Sequence, residues 1–294
     1  RNYSLLVGSI ASGAINNCNV VLKEVKDENG ADKENISLSI YRNVNFGLLF
    51  GYAYQTKIQN IDLKTKAIDI VVDNYASNTL VNIGTVGGVT SACTLDGITV
   101  GTNQGTETNF VKNEVSQLNV TVNDALDEYV GNKVYVGGVI GLTNNSVANN
   151  INAYNNVYGK STALSVDMFI GGVFGKIANT TSTLTNIHRY LSRIEGLAYD
   201  TIDEKSYTFG DTSGSKMQAE QTVYDYMGYI LTNILTQNRI NLISATNDKR
   251  VINWKYAYVG GLAGEIDDDS NVLDQLQSSG IMVDTPILAW GNNI

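Results

Sequence analysis

The chain has 294 residues, of which 43 % are hydrophobic, and a formal net charge of −9 at pH 7. This apolar content is enough for a sizeable core, so the composition excludes a disordered chain despite its many Asn, Ser and Thr residues. The basic residues are scattered and outnumbered by acidic ones, which argues against nucleic acid and anionic membranes as partners.

A short pattern, apolar-Gly-x-aliphatic-x-Gly, recurs six times along the chain. A repeat of this size cannot bury its own apolar face and must stack on its neighbours. The copies begin at Val7-Gly8, Phe46-Gly47, Ile83-Gly84, Val136-Gly137, Ile170-Gly171 and Val259-Gly260, with Ser12 in place of one closing glycine. We expect their central residues to form one aliphatic column through the stack: Ile10, Leu49, Val86, Val139, Val173 and Leu262.

The glycines of this pattern weaken a strand, so they need a structural reason. Either the backbones approach closely in a narrow interior or turns require positive φ. Read as strands, the patterns are apolar on both faces, which predicts that this sheet packs against a second sheet or a covering element.

Two further elements follow most copies of the pattern. Ile61, Ile98 and Ile151 each lie fourteen residues after their glycine, and looser versions occur around Ile187 and Leu276. Period-two alternation then predicts strands with one buried face at 36–40, 67–71, 118–122 and 164–166. Each repeat is therefore predicted to contain two or three short strands joined by Asn, Gly and Asp turns.

The interval from Gly171 to Gly260 is much longer than the others and indicates an insertion at about 188–250. Apolar residues at three- and four-residue steps predict an amphipathic helix at about 216–237. They are Val223, Tyr226, Met227, Ile230, Leu231, Ile234 and Leu235. The helix either covers an exposed side of the stack or projects as a binding element, and both alternatives stay open.

Few residues offer site chemistry. Cys18 and Cys93 would lie two layers apart, about 10 Å, which is too far for a disulfide, so we predict two free thiols. His188 is the only histidine and has no evident catalytic partners. The run Asp267-Asp268-Asp269 is either a solvated turn or a calcium site. The glycine patterns lead into strands rather than helices, so they do not indicate nucleotide binding.

Tyrosine is abundant, with 17 residues. Rows of tyrosines on a repeat stack either cover strands and stack on one another or bind sugars through their apolar faces. The residues in question are Tyr52, Tyr54, Tyr129, Tyr135, Tyr154, Tyr158 and Tyr258. Glycosylation acceptor patterns occur at Asn2, Asn35, Asn119, Asn144 and Asn179, a number near chance in so Asn-rich a chain.

The glycine patterns resemble those of the GLUG-repeat family, named for Gly-Leu-uncharged-Gly and found in large bacterial surface and secreted proteins. Gly261-Leu262-Ala263-Gly264 matches the name literally, and Gly138-Val139-Ile140-Gly141 and Gly172-Val173-Phe174-Gly175 match with Val for Leu. The other three copies depart further. The resemblance implies a right-handed β-solenoid on a cell surface and implies no activity.

The repeats and the resemblance together predict an all-β fold, a parallel β-helix or β-solenoid of about six irregular coils with a partly helical insertion. The expected divisions are solenoid repeats at 1–187, the insertion at 188–250 and a last repeat with the C-terminal end at 251–294. No apolar run approaches the roughly 18 residues that a spanning helix needs, so no membrane span is predicted. The chain begins at Arg1 rather than Met, so we expect targeting signals to lie outside it.

For function, we expect a non-enzymatic extracellular or cell-surface module: a stalk, an adhesin segment or a surface-filament subunit. Its expected partners are other protein chains, through self-association or flanking domains, and surface glycans, with no cofactor, metal or catalytic residue. The alternative is a carbohydrate-binding or carbohydrate-active β-helix protein. That alternative gains weight if Asp62, Asp69 and Asp96 line one concave sheet beside a Lys or Arg.

Overall fold

A computed structural model describes residues 1–22, 36–65, 67–101, 116–124, 131–161, 166–178, 183–189, 192–198, 238–244, 257–267, 282–283 and 287–290. These residues contain strands and no helix, and every strand pair is parallel. The strands of the first coil are β1 (Asn2–Tyr3), β2 (Val7–Ala11), β3 (Ala14–Leu22) and β4 (Ile36–Ile40). Those of the second are β5 (Val44–Gly47), β6 (Phe50–Tyr54), β7 (Lys57–Thr65) and β8 (Ala67–Asn74). Those of the third are β9 (Leu80–Gly84), β10 (Gly87–Ser91), β11 (Thr94–Val100) and β12 (Gln117–Asp124).

The same succession continues in the second half of the chain. The fourth coil has β13 (Asn132–Gly137), β14 (Ile140–Asn144), β15 (Val147–Ala153) and β16 (Asn156–Ser161). The fifth has β17 (Val166–Gly171), β18 (Phe174–Ala178), β19 (Thr183–Arg189) and β20 (Ser192–Ala198), followed by an additional strand β21 (Asn238–Ser244). The sixth has β22 (Ala257–Gly260), β23 (Ala263–Ile266), β24 (Met282–Val283) and β25 (Ile287–Trp290).

The coils stack into four parallel sheets; three take one strand from every coil, and the fourth takes one from each coil and both β20 and β21 from the fifth. The first sheet has the order β1-β5-β9-β13-β17-β22, and the second has β2-β6-β10-β14-β18-β23. The third sheet has the order β24-β19-β15-β11-β7-β3, and the fourth has β25-β20-β21-β16-β12-β8-β4. This is the predicted parallel β-solenoid: its core is the space that the four sheets enclose, filled by in-register aliphatic and aromatic side chains.

The aliphatic column is confirmed in five of the six coils. Leu49, Val86, Val139, Val173 and Leu262 follow one another, each residue's amide donating to the carbonyl of the next at 2.9 to 3.1 Å. The prediction for Ile10 as the sixth member is wrong, because Ile10 pairs with Ala53 instead of Leu49. The first coil is shifted by four residues, so that Gly8 aligns with Gly51 and Leu6 takes the column position.

The glycine pattern forms a corner between the first and second sheets rather than a strand. Its first glycine ends a strand of the first sheet, and the residue after the central aliphatic begins a strand of the second. The first glycines pair in register, as in Gly47 with Gly84 and Gly84 with Gly137. An added Cβ on Gly137 would overlap the Ile140 carbonyl oxygen, so close backbone approach is the reason for the glycine.

The strands of the third sheet bend at one position. Asn17, Asn60, Asn150 and Asn186 all have positive φ there, between 48° and 56°, and Gly97 occupies the same position in the third coil with φ 67°. An isoleucine column follows: Ile61, Ile98 and Ile151, which share one offset in the sequence, pair in register and are buried, and Ile187 continues the column.

The fourth sheet differs from the sequence analysis in two places. The fourth coil contributes β16 to this sheet, and Val166, the last residue of the strand expected at 164–166, begins β17 of the first sheet; residues 164–165 lie outside the described residues. The strand β21 lies between β16 and β20 and is parallel to both, so part of 188–250 joins this sheet. The predicted helix at 216–237 and the element around Leu276 lie outside the described residues.

Candidate binding site on the third sheet

The two cysteines are free thiols, as predicted. Cys18 is half-buried and pairs with Ile61 in the third sheet, whereas Cys93 is buried just before β11. The Cys93 thiol donates to the carbonyls of Ala53 and Ser91, each at 3.3 Å. Burial raises the pKa of Cys93, which keeps its thiol protonated and unreactive.

Among the described residues, those with metal-ligand chemistry lie apart from one another. His188 lies in β19 between Asn152 and Met282 of the neighbouring strands. Asp267 forms an ion pair with Lys176 at 2.8 Å, while Asp268 and Asp269 lie outside the described residues. Within the part of the chain that the structure describes, no three His, Cys, Asp or Glu residues are grouped to hold a metal ion.

Three aromatic residues form a ladder on the outer face of the first sheet. The rings of Tyr135 and Phe169 stack at 4.8 Å, and those of Phe169 and Tyr258 at 4.6 Å. Lys176, from the second sheet, lies 5.5 Å from the Tyr135 ring centroid and pairs with Glu265 at 3.5 Å. This ladder connects coils four, five and six through stacked rings. The side chain of Tyr135 is 2 % exposed.

Tyr135 is held in its neutral form by this environment. Burial raises its pKa well above the ordinary value of 10.0. The hydrogen bond to Glu265 and the negative charges of Glu265, Asp267 and Asp167 raise the pKa further. The ladder is therefore a structural contact, and only Tyr258 at its end is exposed.

The other sequence candidates are dispersed. Tyr54 is exposed and Tyr52 is half-buried, both on the second sheet; Tyr129 and the side chain of Tyr158 lie outside the described parts. Asp62 and Asp96 lie on the third sheet at different positions along the strand, and Asp69 lies on the fourth sheet beside Asn119. These three carboxylates do not line one groove.

The acceptor asparagines lie on three different sheets. Asn2 is in β1 of the first sheet, Asn119 in β12 of the fourth and Asn144 in β14 of the second. Asn35 and Asn179 lie outside the described residues.

A trough crosses the outer face of the third sheet at the third coil. Its floor is Gly97, Thr99 and Gly101, and side chains of the second coil rise beside it because the strands pair in register. Asp62 pairs with Thr99, and Gly101 aligns with Lys64 because its amide donates to Leu63. The full lining is Asn60, Ile61, Asp62, Lys64, Gly97, Thr99, Gly101 and Tyr154.

The trough exists because an amide ladder is interrupted. The side-chain NH2 group of Asn60 donates to the side-chain oxygen of Asn17 at 3.0 Å, and that of Asn186 donates to the side-chain oxygen of Asn150 at 3.3 Å. Gly97 has no side chain to continue the ladder, and its missing Cβ would lie 3.0 Å from the Asn60 side-chain oxygen. Asn150 donates instead to Asp96 at 2.8 Å.

The far wall of the trough is Tyr154 of the fourth coil. Its amide donates to the carbonyl of Val100, which places it beside Gly101. A Cβ on Gly101 would meet the backbone of Tyr154 and Asn155 at 3.1 Å, so the glycine lets the fourth coil pass close beside it. Asp62 and Lys64 form an ion pair at 3.1 Å, with both side chains exposed to solvent. The lining therefore carries no net charge.

Periodicity and composition single out Asp62 and Tyr154 but not the trough between them. The signal is present in the sequence: the third coil has Gly97 and Gly101 where the neighbouring coils have Asn60, Lys64 and Tyr154. That signal appears only when coils are aligned by their isoleucine column.

Comparisons with protein-family models, with curated proteins and with solved structures find no significant match for this chain. Among the described residues, no helix has the length and apolar character that crossing a bilayer would require.

Proposed function

We propose that this chain is a non-enzymatic structural or adhesive repeat module at a cell surface or in the extracellular space. It acts as a stalk, an adhesin segment or a surface-filament subunit. The observation that carries the proposal is the uninterrupted column Leu49, Val86, Val139, Val173 and Leu262, which joins successive coils through one hydrogen-bonded, buried corner. A stack joined in this way resists deformation and displays its faces in a fixed arrangement.

The GLUG-like sequence motifs support the same proposal, since they lie at the corners where successive coils are hydrogen-bonded. Gly138-Val139-Ile140-Gly141 and Gly172-Val173-Phe174-Gly175 are paired corners of adjacent coils. We propose that the resemblance to the repeats of bacterial surface proteins reflects a shared use of this corner.

The edge of the first coil supports a protein partner. Leu5 and Leu6 are 59 % and 62 % exposed, whereas Leu48 and Leu49 in the corresponding positions of the second coil are 2 % exposed. We propose that another chain or a flanking domain covers this edge, because among the described residues its parallel strands pair on one side only, and such edges with apolar side chains favour further pairing.

Immunogold electron microscopy of intact source cells tests the proposal. The label is expected on the outer surface of intact cells, on fibres, stalks or the envelope. Permeabilised cells serve as the control for antibody access. Labelling that appears only after permeabilisation, inside the cytoplasm, would contradict the proposed role.

A further inference from the structure

We propose that the trough on the third sheet is a binding site for a neutral oligosaccharide. This inference goes beyond the structural role, because a coil stack can serve as a stalk without binding sugar. The site is the one defined above, with its floor of Gly97, Thr99 and Gly101 between Asn60, Asp62 and Lys64 on one side and Tyr154 on the other.

The floor is a local departure from the rest of the solenoid. Four other coils place Asn at the bend, with φ between 48° and 56°, so the bend itself does not require glycine. Among the described residues at this position only Gly97 of the third coil is a glycine, and a second glycine, Gly101, lies buried four residues later beside the backbone of Tyr154. The result is a shallow, open depression in the outer face of the third sheet.

The chemistry of the walls fits a polyhydroxylated ligand. The side-chain oxygen of Asn60 lies 3.0 Å from where a Cβ of Gly97 would be. The corresponding oxygens of Asn17 and Asn150 each accept a hydrogen bond from the asparagine of the next coil. A hydroxyl group of a ligand donates to the side-chain oxygen of Asn60 and to the carboxylate of Asp62. The ammonium of Lys64 and the hydroxyl of Thr99 supply donors to ligand oxygens.

Charge and shape select a neutral sugar among polar ligands. Asp62 and Lys64 neutralise each other at 3.1 Å, so the trough offers no excess charge to an anion or a cation. Tyr154 supplies an aromatic side chain, and aromatic rings contact the apolar faces of pyranose rings. The floor from Gly97 to Gly101 extends over four residue steps, about 13 Å at the spacing of a parallel strand, which is long enough for more than one ring.

Isothermal titration calorimetry with maltotriose, cellotriose, mannotriose and chitotriose tests the site. The wild-type chain is expected to bind at least one of the four with a Kd of about 1 mM or lower. In amide NMR spectra, the shifts are expected to be centred on Gly97, Thr99 and Gly101. Absence of saturable binding by all four at about 10 mM would overturn the proposal.

Gly97→Asn is the sharpest variant, because it refills the trough with the residue that four other coils carry in the same backbone conformation. Binding is expected to weaken at least tenfold, while the unfolding midpoint stays equal to or rises above that of the wild type. Asn19→Ala is the matched control: Asn19 pairs with Asp62 one coil away and lies outside the lining, so binding is expected to be unchanged.

Asp62→Asn provides an independent test at an exposed position that the core does not need. It removes the carboxylate acceptor, so binding is again expected to weaken about tenfold. Wild-type affinity in both Gly97→Asn and Asp62→Asn would overturn the proposal. Loss of sugar binding would leave the surface role untouched, since that role is tested by the cellular location of the chain.

Discussion

Gly137 lies against the carbonyl oxygen of Ile140 so closely that a single added methyl group would overlap it. The two residues close the corner between the first and second sheets in the fourth coil. The same relation recurs between Gly171 and Phe174 and between Gly260 and Ala263. The corner is the repeating unit of this fold, and its glycines are needed for space.

Gly137→Ala is therefore expected to lower the free energy of unfolding by about 3 kcal/mol or more, because the Cβ meets backbone that cannot rotate away. Denaturant unfolding followed by circular dichroism measures the change. Gly13→Ala is the control, since its Cβ would meet the Ile10 side chain at 2.9 Å and 3.1 Å and backbone only at an ordinary contact distance of 3.9 Å. Equal stability of the two variants would show that the corner tolerates a side chain.

The burial of the aliphatic column can be tested by the same Leu→Ala substitution at two of its positions. Leu49→Ala removes a buried side chain and is expected to cost about 2–5 kcal/mol of unfolding free energy. Leu6→Ala, at the same column position in the first coil, removes a side chain that is already exposed and is expected to cost less than about 0.5 kcal/mol. A similar loss for both would mean that Leu6 is buried in the isolated chain.

The environment of Tyr135 predicts a loss of folding stability at high pH. Its pKa is raised in the folded chain, so the unfolded chain loses this proton first as the pH rises above about 10. The free energy of unfolding is expected to fall above that pH by about 1.4 kcal/mol per pH unit for this residue, and to show no contribution from it below.

The Tyr135→Phe variant is the control for this prediction, because it keeps the ring stack with Phe169 but has no titrating hydroxyl. Its stability is expected to fall less steeply above pH 10 than that of the wild type. Identical alkaline slopes for the two proteins would rule out a raised pKa at Tyr135. Denaturant midpoints measured at intervals between pH 8 and about 11 give both slopes.

The cysteines predict two reaction phases with a thiol reagent at pH 8. Cys18 is half-buried and is expected to react in the folded chain, while Cys93 is expected to react only when the chain opens. Cys18→Ser should remove the early phase and leave the late one. Fast reaction of the remaining thiol in that variant would show that Cys93 is accessible.

The sequence predicted the stack and most of its register. Leu49 with Val86 and Ile61 with Ile98 were both placed correctly, because residues that share a buried column must share size and polarity. The first coil was misaligned because Ser4 stands where later coils have glycine, so the words around Gly8 matched the pattern four residues out of place. The exposure of Leu6 removed the burial constraint that elsewhere distinguishes the register.

The corner and the trough were beyond a reading of periodicity. Alternation treats the residues around Val139 as one strand, whereas the chain turns there, so that β13 ends at Gly137 in the first sheet and β14 begins at Ile140 in the second. The trough depends on Gly97 and Gly101 lying beside Lys64 and Tyr154, which are distant in sequence and meet through the stacking of three coils.

The central claim is that the corner aliphatics lie one above another in successive coils, and methyl–methyl nuclear Overhauser effects in a deuterated, methyl-labelled sample test it most directly. Cross-peaks are expected for Leu49 with Val86, Val86 with Val139, Val139 with Val173 and Val173 with Leu262, since adjacent strands lie about 4.8 Å apart. Strong cross-peaks between Leu49 and Val173, or none between Val86 and Val139, would contradict the stacked solenoid.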